Sequence, residues 1–370
     1  MLTSVKAQKN NTIKIDWKIA AMLPAKSNEE VSLGFAGTIS GEIDEKVIVA
    51  GGANFPSGMP WTNGKKAYYD DLYLFEKKDG KLLNKKSQIK LPEPIAYSAV
   101  VNTSIGVIYA GGESEKGLSK KVFVIQHSNK GLIITKLPEL PTARANASMV
   151  QINDKLYFAG GEKINETSNQ LLVLDLKNLN NGWSELKNIP VAVSHTVMVK
   201  QQIALQDKLY IIGGRTKTSS GISEFYQTVY EYDLSTNTWN QKKNLPYQLA
   251  AGTGIDLDNN QILLFGGDKG VVFNKVEKLI KAINTEMDTV KKNLLIEEKI
   301  HLQKTHPGFS NDILLYNSIN GNCIELDEIP FAVPVTTTLF KSGDCFIITS
   351  GEIRAGIRAP YILEGKMKLQ

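Results

Sequence analysis

The chain has 370 residues, 42% hydrophobic and 22% charged, enough apolar content for a large core, which excludes wholesale disorder and a disulfide-stapled miniprotein. Its net charge of +5 comes mostly from scattered Lys and leaves no footprint for nucleic acid. The two cysteines, Cys323 and Cys345, lack C-x-x-C spacing, and no apolar run reaches the roughly 18 residues of a membrane-spanning helix, so neither a zinc cage, a disulfide framework nor a span is read.

In chain order, the first segment, MLTSVKAQKNNTIKIDW, has no apolar h-region and does not read as a secretory signal as it stands. Trp17 in KIDWKIAAMLP matches the pattern around Trp239 in NTWNQKKNLP, yet no complete repeat precedes it. From there the chain repeats itself. Six apolar strands end in a small-residue pair: EKVIVAGG (Gly51, Gly52), GVIYAGG (Gly111, Gly112), DKLYFAGG (Gly160, Gly161), DKLYIIGG (Gly213, Gly214), QILLFGG (Gly266, Gly267) and CFIITSG (Ser350, Gly351). A second strand follows each pair, and each repeat carries a Leu-Pro or Ile-Pro step before small and β-branched residues. The spacing is about fifty residues, the kelch period.

Four strands per repeat, taken six times, predict an all-β fold: a single six-bladed kelch β-propeller over 1–370. The strand around Trp17 is expected to complete the blade begun by the last repeat, so that both chain ends meet in one sheet. One interval is longer, and its extra segment, 268–307, is rich in Lys and Glu. Val276, Leu279, Ile280, Ile283, Met287, Val290 and Leu294 recur there three or four apart, which predicts a helix inserted in the fifth blade. It is either a rim ornament or a cap over a ligand site.

Because strand direction alternates within a blade, the loops after each Gly pair and those around each Leu-Pro step open on one face. That mouth collects Asn54, Phe55, Tyr97, Glu113, Arg144, Glu162, His195, Arg215, Asp268, Glu352, Arg354 and Arg358. Of 43 basic residues only these four are Arg. Arg offers a planar fork that grips a carboxylate through two hydrogen bonds; the competing role for Arg144 and Arg215 is to tie blades together through carbonyls. Glu352, next to Gly351 and six residues before Arg358, is a candidate general base, although Glu113 and Glu162 occupy the equivalent place elsewhere. His195 reads as a packed or hydrogen-bonded residue. H-E-x-x-H, the phosphate loop and the G-x-S-x-G elbow are missing, so no metal site or cofactor is expected.

SGEIRAGIR, GGANFP, the GGRTKTSSGISEFYQTVYEYDLSTNTW stretch and the helical insertion after GGDKG together resemble the N-acetylneuraminate epimerases, sialic acid mutarotases built on kelch propellers. The order of motifs is rotated, as in a cyclically permuted branch, a cheap change in a ring whose ends share a blade. Arg354 and Ala355 stand where a Lys-Pro pair is usual, and Asn54 replaces a Gly. The resemblance implies an isomerase of carbohydrate metabolism that interconverts the α and β anomers of a small sugar acid without cofactor, metal, nucleic-acid or membrane partner, in the periplasm. It implies Glu352 as base and Arg358 on the sugar carboxylate, with Arg215, Arg144, Asn54, Phe55, Tyr97, Glu113 and His195 around the substrate. The alternative is a non-catalytic kelch propeller that binds a glycan or a protein.

Overall fold

The computed structural model describes residues 13–26, 30–85, 87–257 and 259–369; most of the segment MLTSVKAQKNNTIKIDW, which does not read as a secretory signal, lies outside them. Six four-stranded antiparallel sheets form a six-bladed propeller. Blade 1 opens with Ile39–Ile43 and Lys46–Ala50, blade 2 with Ala99–Thr103 and Gly106–Ala110, blade 3 with Ser148–Ile152 and Lys155–Ala159. Blades 4 and 5 open with Val197–Ile203 and Thr253–Leu257, each followed by the strand that ends in its Gly pair. Blade 6 holds Thr338–Ser342, Cys345–Arg354 and Ile357–Leu369. Its outer strand is Ile13–Met22, paired antiparallel to Ile357–Leu369 with Trp17 opposite Gly365. The chain ends therefore share one sheet, as the unpaired Trp17 strand predicts. A side chain at 365 would stand 2.8 Å from the Trp17 ring, so glycine makes room for it.

The apolar runs before the small-residue pairs are continuous rather than alternating because both faces of each sheet are covered by a neighbouring blade. Val47, Ile48 and Val49, or Leu263 and Phe265, are almost wholly buried. The core accordingly divides into six clusters, one per seam, among them Ile48, Leu91, Val107 and Ile125 between blades 1 and 2, and Phe265, Ile313, Phe346 and Leu363 between blades 5 and 6.

The glycine pairs are where blades are stitched. The N–H of Gly112 donates to Arg144 O at 2.8 Å, that of Gly161 to Val193 O at 2.9 Å and that of Gly214 to Leu249 O at 2.7 Å, each carbonyl belonging to the next blade's Leu-Pro loop. The preceding glycine sits at a φ near +60° with the same carbonyl over its α-carbon: a Cβ at 160 would be 2.1 Å from Val193 O. Only glycine allows that approach without strain. At the last seam Ser350 takes the first position at φ 23°. Its hydroxyl accepts from Phe35 N and lies 2.8 Å from Phe35 O and 2.7 Å from Ala359 O, so a side chain bridges blade 6 to blade 1.

Between the second and third strands of blade 5 lie two helices, α1 (Val271–Thr285) and α2 (Thr289–Lys304). The single apolar stripe expected across this segment is broken: Asp288 caps α2 by accepting from Lys291 N at 3.0 Å, and Met287 stands in the intervening turn, 92% exposed. An N-capping carboxylate satisfies an orphan N–H and stops the preceding helix from running on. No helix among the described residues is long and apolar enough to cross a membrane.

Ser350→Ala leaves the buried Phe35 N–H without its acceptor while keeping the strained backbone. We expect a loss of about 1–3 kcal/mol, read as a lower midpoint in denaturant unfolding; an unchanged midpoint would show that the last seam does not need the bridge.

Candidate functional site

In every blade the residue after the small-residue pair forms a bridge with the residue that opens the innermost turn: Ala53 with Ala36, Glu113 with Ala96, Glu162 with Ala145, Arg215 with Ser194, Asp268 with Ala250 and Glu352 with Val335. Six equivalent positions thus face one axis, and all but Ala53 line a single cavity of about 420 Å³, within the range of small-molecule sites. The next residues inward are Gly37, Tyr97, Asn146, His195, Ala251 and Thr336, and all but Gly37 form its floor. Each has a φ between +48° and +67°, and each N–H donates to the carbonyl of its counterpart one blade back, from 2.7 Å at Gly37 N to 3.2 Å at Thr336 N, closing a hydrogen-bonded circle. On its other side, a channel of about 610 Å³ runs between the innermost strands.

Glu352 and Arg358 are brought together by strand pairing. They are direct partners in the hairpin of Cys345–Arg354 and Ile357–Leu369, which turns through Ala355 and Gly356. Gly356 holds φ +72° and packs against Met59, Pro60 and Trp61 of blade 1. Its N–H donates to Glu352 Oε1 at 2.8 Å, and Arg358 Nη1 lies 3.6 Å from the same oxygen. Arg358 is 6% exposed, its guanidinium stacks on Phe55 at 4.8 Å, and its Nε and Nη1 have no hydrogen-bond partner among the described residues. A buried guanidinium in that condition favours an incoming anionic oxygen.

The other carboxylates are more fully engaged. Glu162 receives Arg215 Nη2 and Lys217 Nζ, each at 3.3 Å, with His195 Nδ1 at 3.7 Å. Burial pushes its carboxyl up, but His195, Arg215 and Lys217 outweigh that and hold it at about 2. Glu113 is held by the Tyr68 hydroxyl and by Lys66 at 3.2 Å. Asp268 accepts from Gly270 N at 2.8 Å, and burial pushes its carboxyl above the usual range. His195 Nδ1 accepts from Arg215 Nε at 3.4 Å, which leaves the ring proton on Nε2. Burial, then the Arg215 cation, lowers its pKa to about 3.

Of the site residues expected from sequence, Phe55, Tyr97, Glu113, His195, Arg215, Glu352 and Arg358 line the cavity. Asn54 does not: it is buried behind the wall, donating to Gly34 O at 2.9 Å and accepting from the Tyr69 hydroxyl at 2.8 Å. Nor does Arg144, which is wholly buried and bonds Gly160 O, Ser168, Thr142 and Gln170. Its Nη1 and Nη2 are taken by acceptors of blade 3, while its main-chain carbonyl receives Gly112 N of blade 2. Arg354 is exposed at the hairpin tip. Lys66, Asn146, Phe225, Phe273, Gln303 and His306 also line the cavity and were not picked out as site residues. Asn146 stands in register with Tyr97 and His195, a signal the repeat alignment carries; for Phe273 and Gln303 a helix within a propeller repeat gives no register to read.

The insertion covers this mouth. Phe273 of α1 lies 4.2 Å from the Arg215 guanidinium and 5.5 Å from the Phe225 ring, and Val272, Val276 and Gln303 reach the same space.

Compared with known proteins, residues 137–370 match the N-acetylneuraminate epimerase family. The chain is 34% identical over 128 residues to the N-acetylneuraminate epimerase of Brucella suis, covering 32% of each chain. It is 25% identical over 182 residues to that of Salmonella typhi, covering 49% of this chain and 46% of the relative. The matched segments thus span about a third to a half of these relatives.

The low His195 pKa predicts a pH effect of known sign. The unfolded chain takes up a proton near the ordinary value of 6.5 that the folded chain refuses until about 3, so stability falls with acid across that window. His195→Gln should flatten the decline of unfolding free energy between pH 6 and 5 by about 1.4 kcal/mol per pH unit at most. Parallel curves for parent and variant would refute the neutral, buried imidazole.

Proposed function

The chain belongs to the N-acetylneuraminate epimerase family, and from that premise we propose that it is a mutarotase interconverting the α and β anomers of N-acetylneuraminate. The observation that carries the reading is the Glu352–Arg358 pair: a carboxylate and an under-bonded guanidinium held side by side in one hairpin that lines the cavity.

Arg358 receives the sugar carboxylate, which supplies an acceptor to a guanidinium that lacks them at Nε and Nη1. That contact sets the adjoining anomeric hydroxyl beside Glu352. Glu352 removes the hydroxyl proton; the electron pair forms the ketone as the bond from the anomeric carbon to the ring oxygen breaks, and the ring oxygen takes up a proton. Asp268, one blade away at the equivalent position, is our candidate for that donor, since burial favours its protonated form. Rotation about the bond from the ketone carbon to the rest of the chain presents its other face, and the same steps in reverse close the ring. Glu162 and Glu113, paired with cations, serve to hold Arg215 and Lys66 in place. Action in the periplasm belongs to this proposal as well.

Glu352→Gln should slow catalysed anomer exchange, followed by NMR from a freshly dissolved single anomer, by about 100-fold to 10,000-fold, with the folded state intact. Arg358→Lys should mainly raise KM, since an ammonium is a flexible point charge that does not reproduce the fixed planar donors of the guanidinium. Exchange by Glu352→Gln at the parent rate would remove Glu352 as the base.

A further inference from the structure

The cavity has two chemically different sides. Its axial side is the circle of carboxylates and guanidinium groups. Its outer side, supplied by the insertion, is a wall of Val272, Phe273 and Val276 from α1, with Phe309 beyond α2 and Phe225 from blade 4. This wall is held firmly. Glu277, one turn along α1 from Phe273, accepts from Ser223 N at 2.6 Å and from the Ser223 hydroxyl at 2.8 Å, and Gly270 seats the start of α1 directly on the Phe225 ring, where a Cβ would be 2.9 Å from it. Next to the wall stands Gln303 of α2, whose buried Oε1 accepts no hydrogen bond among the described residues.

A valine and phenylalanine surface cannot satisfy sugar hydroxyls, so desolvating them there is unfavourable. It suits a methyl group, and an unfilled amide acceptor beside it suits an N–H donor. We propose that the helical insertion is an N-acyl recognition element: Val272, Phe273 and Val276 enclose the methyl of a 5-acetamido substituent while Gln303 accepts its N–H. This assignment rests on the mutarotase reading and extends it from the reacting end of the substrate to the group that selects it.

The test compares the 5-acetamido sugar acid with its analogue bearing a hydroxyl at that carbon. The parent protein should favour the acetamido substrate by about tenfold or more in kcat/KM. Phe273→Ala should bring that ratio close to one, and Val276→Ser should lower it in the same direction. A parent ratio near one, or variants that lower kcat/KM for both sugar acids by the same factor, would overturn the subsite and leave the mutarotase reading standing. If neither sugar acid is equilibrated, that reading fails, and saturation-transfer NMR on the parent still judges the wall. Strongest transfer to the acetyl methyl supports it; transfer no greater than to the ring protons rejects it.

Discussion

Six main-chain hydrogen bonds running from blade to blade around the axis hold the inner ends of all the sheets in one plane. Each links a residue with left-handed backbone to its counterpart, and five of the six, Tyr97, Asn146, His195, Ala251 and Thr336, are not glycine. An L-residue in that region gives up about 1 kcal/mol, and the circle offsets this by giving every donor in it a main-chain acceptor. The left-handed turn also aims these side chains out of the sheet plane towards the mouth. The floor of the cavity is thus a by-product of the way the blades join, and its composition can vary without disturbing the scaffold.

One layer further out, the scaffold makes equivalent positions and the neighbours make them different. Glu113, Glu162, Asp268 and Glu352 share a bridge geometry, yet Glu162 is surrounded by three basic groups, Glu113 by Lys66 and a phenol, and Asp268 by burial with one peptide donor. Glu352 has a peptide donor and an arginine beyond ordinary hydrogen-bond length. Four like groups in one small space thus stand in four different surroundings, as expected where repeats have diverged on a common frame.

The repeat made the propeller legible before any coordinates, because Gly-Gly after an apolar run has a single physical meaning here: a carbonyl from the next blade occupies the place of a Cβ. The sharing of the last blade was legible from Trp17, whose strand has no other partner. Side-chain direction was less so. Arg144 and Arg215 both lie near small-residue pairs and Leu-Pro steps, yet one turns into its own blade and the other into the cavity. The difference depends on Ser168 and Gln170 supplying acceptors across a fold of the chain, which local pattern does not show. Asn54 was misplaced for the same reason, being drawn inward by Gly34 O and Tyr69. The insertion read correctly as helical, but its apolar stripe gave no sign of the break at Asp288 or of which turns reach the cavity.

Closing blade 6 with Ile13–Met22 has a consequence for the timing of synthesis. The strand Ile13–Met22 has no sheet partner until the hairpin carrying Glu352 and Arg358, far downstream of it, has been made. Closure of the circle thus waits for that hairpin, and a chain cut short before it would lack both the Glu352–Arg358 pair and the clasp that joins Ile13–Met22 to blade 6.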